Sequence, residues 1–249
     1  MTHLLTVSPD FSPDHIAGWY VFNTWLQRRL GTRIHFEMHD SFAQQRQAVA
    51  DDKIDLIYAS PNLAAMLVRE KGFTAIAAPL AKADEAIVAV LDGSPVHHVE
   101  DLQPGLRIAQ TQDPDVNMIA MIMLEPADLN RDNTVVVNAP SYVLVAKQLM
   151  TGKADCGFFL REAYDDLSGP VRRQLRVLVQ SEIGVIRHML LAGPRMAEHH
   201  EALRELIAGM SEPGSDGKRA LDALGLAGFE IQQPEDVEFM IDMVNTLTV

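Results

Sequence analysis

The chain is short of cysteine, tryptophan and positive charge, with one Cys, two Trp, and 21 Lys+Arg against 34 Asp+Glu in 249 residues. Its single cysteine, Cys156, excludes an intramolecular disulfide and a cysteine-rich metal site. That thiol lies in the apolar stretch 154–159, the setting of a small core residue rather than of a nucleophile. The shortage of Lys and Arg leaves a net charge of −13 and a pI near 5.0, which argues against nucleic acid or an anionic membrane as partner. No window approaches the roughly 18 uninterrupted apolar residues of a membrane span, so no membrane insertion is expected. Repeats, low-complexity tracts and long linkers are missing too, so the whole chain reads as one folded unit. The opening MTHLLTVSPDF lacks a basic region, an apolar run and a small-residue cleavage site. As it stands the sequence points to the cytoplasm, and to the periplasm only if a leader has been removed.

What is present is an alternation of short apolar runs and amphipathic stretches. Residues 4–7, 33–38, 54–58 and 73–79 have strand character. Between the first two, residues 14–30 carry Ile16, Val21, Phe22, Trp25, Leu26 and Leu30 as a helical stripe, with Gly31 placed to end it. Ser41 with Gln44 has the spacing of a capping box, and Ser60-Pro61 opens the next helix. A second series of strands falls at 86–91, 107–109, 134–137, 154–159, 175–179 and 185–191, with helices at 99–102, 115–124 and 140–150. After Pro194 the pattern is helical throughout. This order predicts an α/β fold with a largely parallel, doubly wound sheet.

In such sheets ligands sit beyond the carboxyl ends of the strands, where helix starts present unpaired N–H groups. Four strand-to-helix junctions carry small polar or turn-forming residues, at 8–12, 59–62, 111–117 and 138–142. The candidate ligand-binding residues are Asp10 and Phe11 from the first; Ser60, Pro61 and Asn62 from the second; Asp113, Asp115 and Asn117 from the third; and Ser141 and Tyr142 from the fourth. Each junction could equally serve only as a helix cap. Metal binding is not expected, because the side chains of His97-His98 and His199-His200 diverge on helix and strand alike. Arg187 and His188 are better polar candidates. No catalytic residue and no cofactor is assigned, since there is no G-x-S-x-G, no phosphate-binding glycine loop and no zinc spacing.

Several segments, taken in order and spacing, resemble a known family: SPDFSP after the first strand, LQRRLG, AVADDKIDLIYASPNLAAM, VHHVEDLQPGLRIAQTQDP, VAKQLMTGKADCGFF, LRVLVQSEIGVIRHMLLAGPRM and GKRALDALGLAGFE. The chain is similar to the phosphate/phosphite/phosphonate-type substrate-binding proteins of ABC transporters, which have the type 2 periplasmic-binding-protein fold. The resemblance implies two doubly wound lobes joined by a two-segment hinge, with residues 1–82 and 184–249 in one lobe and 83–183 in the other. It also implies non-enzymatic binding of a small polar or anionic solute in an interlobe cleft. The partner would be a transporter permease, or a regulatory protein if the chain is a ligand sensor. An alternative is an enzyme on the same fold, of the menaquinone- or thiamine-precursor-biosynthesis type. The family's Ser-Thr-Ser-Gly-like run is replaced here by Asp115-Val116-Asn117-Met118, and Asp84-Glu85 stands near a crossing segment. Carboxylates repel a phosphonate unless a proton or cation intervenes, so the ligand class is expected to shift toward an amine-bearing, neutral or different anionic molecule. The hydroxyls of Ser60 and Tyr142 are expected to serve the ligand rather than the fold.

Overall fold

The structure is a computed structural model that describes residues 2–9 and 15–248. Its elements run β1 (Thr2–Val7), α1 (Ile16–Leu30), β2 (Arg33–Phe36), α2 (Phe42–Ala50), β3 (Leu56–Ala59), α3 (Pro61–Lys71) and β4 (Thr74–Pro79). Then come β5 (Ala86–Leu91), β6 (Arg107–Gln110), α4 (Pro114–Ile122), β7 (Val135–Asn138), α5 (Tyr142–Met150), β8 (Cys156–Leu160), α6 (Arg161–Asp165), α7 (Gly169–Arg172) and β9 (Leu175–Gln180). The chain closes with β10 (Met189–Ala192), α8 (His200–Ala208), α9 (Asp216–Ala223), β11 (Phe229–Ile231) and α10 (Pro234–Thr248). Two compact units result: the chain up to Ala83 rejoined by Val185–Asn245, and Asp84–Gly184 together with the last residues from Thr246.

The first unit holds a six-stranded sheet in the order β11-β4-β10-β3-β1-β2. Strands β3 and β10 are buried along their whole length, which is why both read as unbroken apolar runs rather than alternations. Helix α1 lays Trp19, Phe22, Trp25 and Leu26 onto the sheet, against Leu5, Val7, Leu56 and Tyr58. Its Gly18 makes a close approach possible: a Cβ there would stand 2.1 Å from the Ala223 carbonyl oxygen of α9. The αL conformation of Gly31 (φ 68) ends α1, with its N–H on the Gln27 carbonyl. Ser41 caps α2 through the Gln44 N–H, but the Gln44 side chain returns to the N–H of Asp40 (3.1 Å), not to that of Ser41.

The second unit holds a five-stranded sheet in the order β7-β6-β8-β5-β9. Its core gathers Ile87, Ala89, Val145, Leu149, Phe159, Tyr164 and Leu167. Cys156 is buried in β8, and burial pushes its thiol far above the ordinary range, so it is a packing residue and no nucleophile.

Three expectations need correction. Both sheets are mixed rather than uniformly parallel: β1 pairs in parallel with β2 and β3, but β10 is antiparallel to both β3 and β4, and β11 is antiparallel to β4. In the second unit β5 runs antiparallel to both β8 and β9. The β-α-β alternation captures the parallel pairs and is blind to a strand that returns from far along the chain to insert between β3 and β4. The strand expected at 185–191 is only Met189–Ala192; its earlier residues owe their apolar pattern to burial, as at Ile186, not to a ladder. The region after Pro194 is not wholly helical, since the short edge strand β11 pairs Phe229 with Pro79 and Ile231 with Ala77. The helices α6 and α7 also have no counterpart in the sequence reading.

Candidate ligand-binding site

In the first unit the carboxyl ends of β1 and β3 are locked side by side, the Ser8 N–H donating to the Tyr58 carbonyl at 2.8 Å. Strand alternation puts Thr6 and Ser8 on one face. Both are fully buried, and neither hydroxyl has a hydrogen-bond partner among the described residues. Gln45, also fully buried, donates its Nε2 to the Val7 carbonyl at 2.8 Å, while its Oε1 has no partner among the described residues. Beyond β3, Ser60 is the N-cap residue of α3 and only 1% exposed. Its carbonyl accepts the Ala64 N–H at 2.8 Å, yet its side chain makes no cap hydrogen bond. Pro61 at the first helical position has no N–H to be satisfied, and Asn62 follows half-buried. An aromatic wall stands beside this junction. The ring of Tyr58 lies 5.0 Å from that of Trp19 and stacks on buried His188 at 5.2 Å with a 20° interplanar angle. Arg187 turns instead to Glu230, at 2.9 Å.

In the second unit the corresponding helix starts are occupied by their own side chains. Asp113, 3% exposed, caps α4: its Oδ1 accepts the N–H groups of Asp115 (3.0 Å) and Val116 (3.1 Å). Its Oδ2 accepts the Tyr142 hydroxyl at 2.8 Å, which brings the third and fourth junctions together. Asp115 and Asn117 lie in the first turn of α4 rather than in a loop, Asp115 buried and Asn117 donating its Nδ2 to the Thr111 carbonyl at 2.8 Å. The Asn117 Oδ1 is buried with no partner among the described residues. Ser141, which is exposed, caps α5 by accepting the Leu144 N–H at 3.4 Å.

Asp10 and Phe11 lie outside the described residues. The carboxylate of Asp101 accepts the backbone N–H groups of His97 and His98, both at 2.9 Å, and these bonds hold its pKa below the usual carboxylate range. The ring of His199 meets His3 edge-on at 6.0 Å. Among the described residues no group of three or more His, Cys, Asp or Glu side chains is placed to hold a metal ion.

Sequence reasoning missed Gln45, Thr6 and Tyr58. Gln45 had a signal: it falls on the inward stripe of α2 with Phe42, Ala48 and Val49, where a polar residue is out of place. Tyr58 had a weaker one, as the only ring in an apolar strand that leads directly to Ser60.

The family model for periplasmic substrate-binding proteins of phosphonate ABC transporters matches residues 5–237. No curated protein matches the chain. Among solved structures, PhnD1 of Prochlorococcus marinus in complex with methylphosphonate superposes with a TM-score of 0.80 at 13% identity, covering 99% of this chain and 98% of that one. A Xanthomonas citri protein bound to ATP gives a TM-score of 0.80 at 17% identity, with the same coverage of 99% and 98%. The aliphatic sulphonate-binding protein SsuA of Escherichia coli gives 0.70 at 14% identity, covering 99% and 91%. At these identities the superpositions establish a shared fold.

Proposed function

Because the chain belongs to the phosphonate-type periplasmic substrate-binding proteins of ABC transporters, we propose that it binds a small solute with an anionic group at one end and a hydrogen-bond-donating, cationic group at the other. The anionic group is assigned to the first unit. The observation that carries this is Ser60: a buried hydroxyl at the start of an eleven-residue helix that is not spent on capping it. The N–H groups and dipole at that helix start favour an anion, and a hydroxyl beside them adds a donor. The buried Ser8 hydroxyl at the neighbouring strand end, which has no partner among the described residues, supports the same reading, since buried polar groups without a protein partner call for a ligand or water.

The second unit's own residues favour a cationic group. Asp113 and Asp115 are buried within three residues of each other, and the α4 start that could receive an anion is already capped by a carboxylate. A dianion brought there would add charge of the same sign in a low-dielectric setting, whereas an amine is attracted. Structures of this fold include one in complex with methylphosphonate, one bound to ATP and one of an aliphatic sulphonate-binding protein, so the fold does not restrict the anion's chemistry. The rings of Trp19, Tyr58 and His188 beside Ser60 suit a compact organic body next to the anionic group.

The family is one of binding proteins rather than enzymes, and burial of the single thiol is consistent with that role. The partner assigned is therefore an ABC-transporter permease. A thermal-shift panel of phosphate, methylphosphonate, taurine and aminoethylphosphonate tests the reading. Stabilisation by the two aminated compounds ahead of the other two is expected, and no shift with any of the four sinks it.

A further inference from the structure

The chain passes from the first unit to the second between Ala83 and Asp84 and returns between Gly184 and Val185. Strand β5 begins just after the first passage, and its antiparallel neighbour β9 ends just before the second, Ile87 pairing with Gln180. The two connections therefore leave the second unit from one end of one strand pair. At that end stands Glu85, only 5% exposed. Its carboxylate accepts the Ser181 hydroxyl through Oε2 and the Gly184 N–H through Oε1, the latter at 2.7 Å. Ser181 is committed on its other side as well: its hydroxyl accepts the Ala86 N–H at 2.8 Å, and its own N–H donates to the Ala86 carbonyl at 2.9 Å. Gly184 sits in the left-handed region (φ 74), the conformation that turns the returning chain at this point.

We infer that Glu85 is a positioning residue at the chain's double crossing: its carboxyl group ties the outgoing connection to the incoming one, so that the two move as a pair. The warrant is the match of donors and acceptors. Two donors converge on one carboxylate, whose two oxygens accept both. Among the described residues, a hydroxyl and a backbone N–H at the chain's double crossing hold this buried carboxyl group, one on each oxygen. Glutamine in its place would turn an N–H₂ group toward one of the two donors and lose one of the two bonds that tie the connections.

The inference requires no ligand, so its test is separate from that of the proposed solute. Spin labels are placed at Arg28→Cys in the first unit and Arg131→Cys in the second, both exposed positions, with Cys156 buried out of reach of the reagent. The distance distribution of the ligand-free protein is then compared in the parent, in Glu85→Gln, in Ser181→Ala and in Lys53→Ala, a control at an exposed ion pair. Broadening is expected in the two variants at the crossing and not in the control. A distribution that superimposes on the parent in either Glu85→Gln or Ser181→Ala overturns the inference, and if Glu85→Gln fails to fold, Ser181→Ala decides alone.

Discussion

The two units begin their helices with the same kinds of residue and use them differently. In the first unit Ser60 stands at the N-cap of α3 and leaves its hydroxyl uncommitted to the cap. In the second, Asp113 spends one oxygen on the start of α4 and the other on Tyr142, and Ser141 spends its hydroxyl on α5. A polar residue at a helix start thus has two possible employments, and residue type does not reveal which. The contrast sets a hydroxyl not used for the helix cap in one unit against a carboxylate and a hydroxyl fixed by the fold in the other.

Four substitutions can break or sharpen this contrast, and stability is the quantity that separates them. Asp113→Ala should have the largest effect, since it removes a cap worth about 1 kcal/mol and strips the Tyr142 hydroxyl of a charged partner. A loss of about 2–3 kcal/mol in chemical denaturation is expected, and a loss below the cap value alone would mean the Tyr142 contact contributes nothing. Tyr142→Phe should cost about 1–2 kcal/mol for the hydrogen bond to a carboxylate. This departs from the sequence expectation that its hydroxyl serves the ligand rather than the fold, and an unchanged melting curve would restore that expectation. Ser141→Ala, at an exposed cap with a long 3.4 Å bond, should cost about 0.5 kcal/mol, the low end for caps. Ser60→Ala should change stability least, within about 0.5 kcal/mol. It should instead weaken binding of aminoethylphosphonate by about 2- to 10-fold, the worth of one hydrogen bond. If its melting temperature falls while affinity holds, Ser60 is a cap after all.

Much of the fold was legible because its signals are local. The stripe through Phe22, Trp25 and Leu26, the stop at Gly31, and the Ser41 and Ser60-Pro61 starts each depend on residues within a turn or two. What escaped depends on distant chain. The antiparallel insertion of β10 between β3 and β4 joins segments more than a hundred residues apart, and β11 is three residues long, too short for an alternation to register. The site divides in the same way. Its residue types were visible at the junctions, but the bond that commits Tyr142 spans 29 residues to Asp113. Gln45 acquires its meaning only where α2 meets the end of β1.

The central claim, that the solute carries an amine as well as an anionic group, is tested most directly by the ratio of two affinities. Isothermal titration of the unmodified protein with aminoethylphosphonate and with methylphosphonate compares ligands that share the phosphonate and differ in the amine. An amine attracted by the buried pair Asp113 and Asp115 should make the first bind at least about tenfold more tightly, a difference of roughly 1.4 kcal/mol. Equal affinities, or tighter binding of methylphosphonate, would contradict the account.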